Sequence, residues 1–239
     1  MLKLIIILFF ACLTSVSARA QKKINVLFLG NSLTYYNNLP ELVKKIAACD
    51  SVDMSYRSIS LPNYALVDHW SDGKAQQEIK SGKYNYVVVQ QGPSSQLEGR
   101  SYLLEYGLKF DELCDQNNAR LVVYMVWPAK ARASDFSGVF NSYKLLADSA
   151  KAIFCPAGKG WLNVWENYPD FTLYSEDDFH PDYRGSLLAA LIIYGSIMNK
   201  NSMAFTDYHL LKGNVLVKED YKILVRKAQQ TLAGIKSKK

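Results

Sequence analysis

The stretch Ile24-Asn25-Val26-Leu27-Phe28-Leu29-Gly30-Asn31-Ser32-Leu33-Thr34 decides how the chain is read. Ile24 to Leu29 is apolar with a single polar interruption and closes on a glycine, so it reads as a strand buried on both faces. Similar short runs recur at Val52 to Ile59, Tyr84 to Val89, Leu121 to Val126 and Ile153 to Cys155. Between them the apolar residues take helical spacing. Leu39, Leu42, Val43, Ile46 and Ala47 share one face, as do Leu103, Tyr106, Phe110 and Leu113, and Phe140, Tyr143, Ala147 and Ala150. Gly185 to Asn199 is almost wholly apolar and predicts a central helix, and Glu219 to Ile235 predicts an amphipathic one. The expected architecture is an open three-layer α/β/α sandwich around a mostly parallel five-stranded sheet, flavodoxin-like, with ligands beyond the carboxyl ends of the strands.

The 239 residues suffice for one domain with a sizeable core, and a single domain over residues 21–239 is expected. The first twenty residues stand apart. Lys3, the apolar run Leu4 to Leu13, and Ala18-Arg19-Ala20 form a secretory signal peptide with cleavage after Ala20, so the mature chain is expected outside the cytoplasm or in the periplasm. A membrane anchor is the competing reading, but that run is far short of the ~20 residues a bilayer needs. Lipid attachment at Cys12 fits worse, with Phe9-Phe10 before it. Leu187 to Met198 carries Gly195 and Ser196 and suits a buried helix, so no stable membrane insertion is expected.

The net charge of +6 is spread along the chain apart from Lys236, Lys238 and Lys239, which gives no reason to expect nucleic acid. Cys49, Cys114 and Cys155 remain after cleavage, an odd number for an oxidising compartment, and their apolar settings predict buried thiols. No C-x-x-C pair or zinc spacing occurs. Phosphate-binding loops and the Gly-x-Ser-x-Gly elbow are likewise missing. A calcium site at Glu176-Asp177-Asp178 would lack the spaced oxygen ligands of a loop site, so no metal and no organic cofactor is expected. The oligomeric state is not fixed by these features.

Three histidines, His69, His180 and His209, limit the choice of a general base. Asp177 precedes His180 by three residues, within one turn. A carboxylate at that offset can hold one imidazole nitrogen and leave the other free to take a proton, although the same residues also suit a plain acidic loop before a helix. Ser32 lies at the carboxyl edge of the first strand, beside turn N–H groups able to stabilise an oxyanion. The bland alternative is a turn in which Asn31 and Ser32 bond only their own backbone. His69, flanked by Asp68 and Trp70, is a candidate substrate contact, with helix capping or packing as the commoner role for such a residue. Tyr35, Tyr36, Tyr64 and Trp127 fall near strand ends, where aromatic faces suit sugar rings; Tyr64 is the named binding candidate.

Together the two segments resemble the SGNH (GDSL-type) hydrolase superfamily. Gly30-Asn31-Ser32-Leu33 is similar to its Gly-Asp-Ser-Leu block with Asn for Asp, and Asp177-x-x-His180-Pro181 matches its last block in the right order. Asp68-His69-Trp70, Gln90-Gln91-Gly92-Pro93-Ser94-Ser95, Val126-Trp127-Pro128 and the stretch from Leu173-Tyr174 to Ala190 extend the likeness toward a secreted bacterial branch. The resemblance implies a serine esterase with Ser32 as nucleophile, His180 as base and Asp177 as its orienting carboxylate. It also implies an oxyanion hole from the Ser32 N–H, a glycine N–H and an asparagine side chain. Here the glycine block reads Ser60-Leu61-Pro62-Asn63-Tyr64, so Asn63 is expected to supply the N–H on a left-handed backbone. The asparagine position falls on Ser94, with Gln91 or Gln90 as substitutes. A small acyl group, acetyl on a carbohydrate, is the expected substrate. The alternatives are a thioesterase or lysophospholipase with the same triad, and a non-catalytic glycan-binding protein.

Overall fold

The computed structural model describes residues 21–200, 208–211 and 216–236. The signal-peptide reading concerns residues 1–20 and lies outside the described residues. In chain order the strands are β1 (Lys22–Gly30), β2 (Val52–Ser60), β3 (Tyr86–Val89), β4 (Arg120–Tyr124) and β5 (Ile153–Cys155). All pair in parallel in the order β2-β1-β3-β4-β5. Each overlaps a strand drawn from the sequence, and the sheet is wholly parallel rather than mostly so.

The helices are α1 (Ser32–Tyr35), α2 (Leu39–Cys49), α3 (Leu66–Asp72), α4 (Lys74–Lys80), α5 (Leu97–Gln116), α6 (Phe136–Ser149), α7 (Ala157–Trp165), α8 (Tyr183–Ile197), α9 (Tyr208–Leu211) and α10 (Lys218–Lys236). The chain steps outward from β1 to β2, then returns across β1 to β3 and continues away. With right-handed crossovers this reversal puts α2 on one face and α3 to α6 on the other. It also opens a crevice between the carboxyl ends of β1 and β3, the switch point where such folds hold ligands. Helix α8 packs on α2, α7 and α10 and is buried on nearly every side, as its apolar sequence requires. Among the described residues no helix is long and apolar enough to cross a membrane. Cys114 and Cys155 are buried thiols with no disulfide between them, and Cys49 is half-buried.

Helix α7 has no counterpart in the sequence reading. Gly158 and Gly160 weaken it as a local signal. Both are required by packing: a Cβ on Gly158 would stand 2.1 Å from the Val126 carbonyl oxygen, and one on Gly160 2.3 Å from Ile192. Trp127 also differs from expectation. It is fully buried and stacked on Trp161 at 3.7 Å, part of the core rather than the cleft.

Candidate active site

Ser32 opens the single turn of α1 directly after β1. Asn31 caps that turn, its Oδ1 accepting from the Leu33 N–H (3.1 Å), while its Nδ2 donates to the Tyr64 carbonyl (3.0 Å). The Ser32 hydroxyl makes no hydrogen bond with any described residue, so it stands ready to meet a ligand. Gln90, fully buried at the end of β3, holds the turn from beneath. Its Oε1 accepts from the Asn31 N–H (3.1 Å) and the Thr34 hydroxyl (2.9 Å), and its Nε2 donates to Asn31 Oδ1 (3.0 Å) and the Gln91 carbonyl. A glycine is needed before this turn because a Cβ on Gly30 would lie 2.3 Å from Thr34 Oγ1 and 2.6 Å from Gln90 Oε1. Tyr124 on β4 adds a bond from its hydroxyl to the Leu33 carbonyl (3.2 Å).

His180 comes from a hairpin-like loop that runs from Tyr174 to Pro181, which pair with each other antiparallel. Asp177 Oδ2 accepts from His180 Nδ1 (2.5 Å), and its Oδ1 accepts from the Phe179 and His180 N–H groups (3.0 and 2.8 Å) and the Ser175 hydroxyl (2.8 Å). The His180 bond, followed by these backbone and hydroxyl donors, holds the Asp177 carboxyl well below the usual carboxylate range. The pair fixes the imidazole with Nδ1 as donor and Nε2 unprotonated when neutral. Braces from the end of β4 keep the loop in place: Trp127 Nε1 donates to the Phe179 carbonyl (3.1 Å), the Tyr174 hydroxyl to the Pro128 carbonyl (2.7 Å) and the Lys130 N–H to the Asp178 carbonyl (2.9 Å).

Two contacts bring the distant segments together. The Tyr36 ring, four residues past Ser32, stacks on His180 at 4.1 Å and 10°. Asn37 Nδ2 donates to the Pro181 carbonyl (3.0 Å) and Ser186 Oγ (2.9 Å), using a left-handed backbone at φ 51°. No hydrogen bond joins Ser32 to His180 itself; in ligand-free sites such bonds are often long and tighten on substrate. Asn37 was not singled out in the sequence. The signal was the Asn37-Asn38 pair, since asparagine is the commonest residue other than glycine at positive φ.

Asn63 takes the left-handed conformation expected of it, φ 61°, in an exposed turn after β2, and its N–H has no acceptor among the described residues. The side-chain donors expected for the oxyanion hole are otherwise engaged. Gln91 Nε2 donates to Ser94 Oγ and the Gly99 carbonyl (both 2.8 Å), while its Oε1 accepts from the Leu66 N–H (3.1 Å). Ser94, at φ 57°, donates its hydroxyl to the Gly92 carbonyl (2.9 Å). Gln90 spends both amide protons under the Ser32 turn. These three residues build the turn walls, with their amide protons and hydroxyl committed to those bonds. His69 is a correction of a similar kind. It is buried, 1% exposed, and is therefore not a substrate contact; its Nε2 bonds the Gly30 carbonyl (2.9 Å). Burial lowers its pKa, against the pull of that bond and of Asp68 and Asp72. Tyr64 is half-buried and packs edge-on against the His69 ring at 5.0 Å. No group of three or more His, Cys, Asp or Glu side chains able to hold a metal occurs among the described residues.

No protein-family model and no curated protein sequence matches the chain. Solved structures do. A DUF4886 family protein from Bacteroides uniformis superposes with a TM-score of 0.70 at 14% identity, over 89% of this chain and 95% of that one. A protein of Slackia heliotrinireducens assigned to the SGNH hydrolases gives 0.64 at 21% identity, over 74% and 100%. The lipase/acylhydrolase from Enterococcus faecalis gives 0.60 at 14%, over 74% and 96%. The chain therefore has the SGNH hydrolase fold.

Proposed function

We propose that this protein is a serine ester hydrolase whose substrate is a small acyl ester, an acetyl group on a carbohydrate. The carrying observation is the Asp177–His180 pair, its imidazole stacked on Tyr36 one turn from Ser32, with neither His180 Nε2 nor the Ser32 hydroxyl bonded to any described residue. Ser32 Oγ attacks the ester carbonyl carbon as its proton passes to His180 Nε2. The tetrahedral oxyanion is met by the Ser32 and Asn63 N–H groups. Collapse breaks the bond to the leaving oxygen, which takes the proton from His180 and departs as the alcohol. Water, deprotonated by His180, then releases the acid from the acyl-serine and restores Ser32. Asp177 stays ionised throughout and holds the imidazole in place.

A cavity of about 300 Å³ beside Phe179, lined by Pro93, Pro128 and Ala129 together with Ser94, Gln96 and Arg132, is of a size to take a small substrate. Residues 1–20, read as a signal peptide, support action outside the cytoplasm or in the periplasm. The test is hydrolysis of p-nitrophenyl acetate and p-nitrophenyl decanoate by residues 21–239, with Ser32→Ala alongside. Acetate turnover that vanishes in the variant is the expected result. Preference for decanoate would move the reading to a thioesterase or lysophospholipase. One observation favours a second reading, a glycan-binding protein without catalysis: losing a side-chain oxyanion donor elsewhere costs about 10²–10³ in rate. Glycan binding retained in Ser32→Ala, with no ester turned over by the folded wild type, would establish it.

A further inference from the structure

The Gly30–Asn31 peptide unit is gripped at both ends. Its carbonyl accepts from the Leu61 N–H (3.1 Å) and from His69 Nε2 (2.9 Å), and its N–H donates to Gln90 Oε1 (3.1 Å). A carbonyl only accepts, so His69 carries its proton on Nε2 and leaves Nδ1 as an acceptor. That Nδ1 is buried and has no hydrogen-bond partner. An orphaned buried nitrogen costs stability, and an apolar side chain would fill the same space without that cost. The ring is therefore placed for what Nε2 does. Its placement is deliberate at every step back: Asp68 Oδ2 caps the helix through the Ala65 N–H (2.8 Å), Gln91 Oε1 anchors the Leu66 N–H, and Leu66 and His69 share the buried face of α3.

We propose that His69 is a positioning residue for the nucleophile turn: by fixing the Gly30–Asn31 peptide plane it aims the Ser32 N–H and hydroxyl that follow. With that plane set, the direction of the Ser32 N–H follows from the dihedral angles of Asn31, which its own cap and Gln90 restrain, and the start of the Ser32 side chain is set with it. The kinetic consequence rests on the esterase reading above. The clamp itself does not.

The first measurement uses the unaltered protein: imidazole nitrogen NMR is expected to show neutral His69 with the proton on Nε2 at neutral pH, and a proton on Nδ1 would overturn the proposal. His69→Phe keeps a ring against Tyr64 but lacks the donor, and His69→Gln supplies an amide N–H in its place. In p-nitrophenyl acetate hydrolysis His69→Phe should lower kcat about tenfold or more with KM within about twofold, since a small misplacement of reacting groups costs rate rather than binding. His69→Gln should recover most of the loss. Wild-type kcat in His69→Phe, or equal losses in both variants, would refute an aiming role. A wild type that turns over no ester sinks the Ser32 reading alone; the clamp is then judged by hydrogen exchange. The Asn31 amide should exchange at least about tenfold faster in His69→Phe than in wild type, with β1 otherwise unchanged, and equal rates would overturn it.

Discussion

The two halves of the site are built in opposite ways. The Ser32 turn lies on buried polar residues, Asn31, Gln90 and His69, whose bonds reach across the sheet from β3 and α3. The His180 loop sits at the surface, with the Asp177 side chain 48% exposed and its carboxylate bonded only to residues within three positions along the chain. The bonds beneath Ser32 are a product of the core and cannot be removed without straining it. The second half is a local unit laid on the fold, where chemistry and stability are separable.

Four substitutions put that contrast at risk, beginning with the largest effect. Ser32→Ala should reduce ester hydrolysis by roughly 10⁵-fold, to the detection floor, yet leave thermal stability within about 0.5 kcal/mol, because the hydroxyl has no partner to lose. Asp177→Asn should lower kcat by roughly 10³–10⁴-fold, since the imidazole loses its orienting acceptor. Its stability effect should be small and pH-dependent. A carboxylate held below its ordinary range adds stability above about pH 4, where it is ionised both folded and unfolded, and loses it as pH falls further. For a group this exposed the difference from the variant should stay under about 1 kcal/mol, shrinking on acidification, as unfolding at pH 7 and pH 3 will show.

Gln90→Leu sharpens the other side. It strands the Asn31 N–H and the Thr34 hydroxyl in the core and takes one of its two donors from Asn31 Oδ1, so denaturant unfolding should report a loss of about 2–4 kcal/mol together with reduced kcat. A stable Gln90→Leu with wild-type turnover would break the contrast. Lys130→Ala should do least. The Lys130–Asp178 ion pair (3.0 Å) is exposed, and the bond from the Lys130 N–H to the Asp178 carbonyl survives, so the change should be within about 0.5 kcal/mol.

The legibility of the sequence follows the same division. Strands and long helices were readable because each carries its period within itself, as did the Asp177-x-x-His180 spacing. The left-handed Asn63 was readable from side-chain chemistry alone. The roles of Gln90, Gln91 and Ser94 were not, because whether an amide or hydroxyl faces solvent or a carbonyl depends on partners from elsewhere in the fold. His69 illustrates the limit: its neighbours in sequence suggested a cleft beside the commoner reading of helix packing, and α3 turns it inward beneath Gly30. Helix α7 was hidden by glycines that serve the packing of Val126 and Ile192.

Asn37 bonds Ser186 across 149 positions of chain. The serine turn emerges early in synthesis and its histidine late, and nothing but tertiary docking of α8 and the preceding loop unites them. A growing chain carries Ser32 long before His180. On the esterase reading the site is incomplete during translation until α8 and the loop before it have been made and have docked against the N-terminal strand.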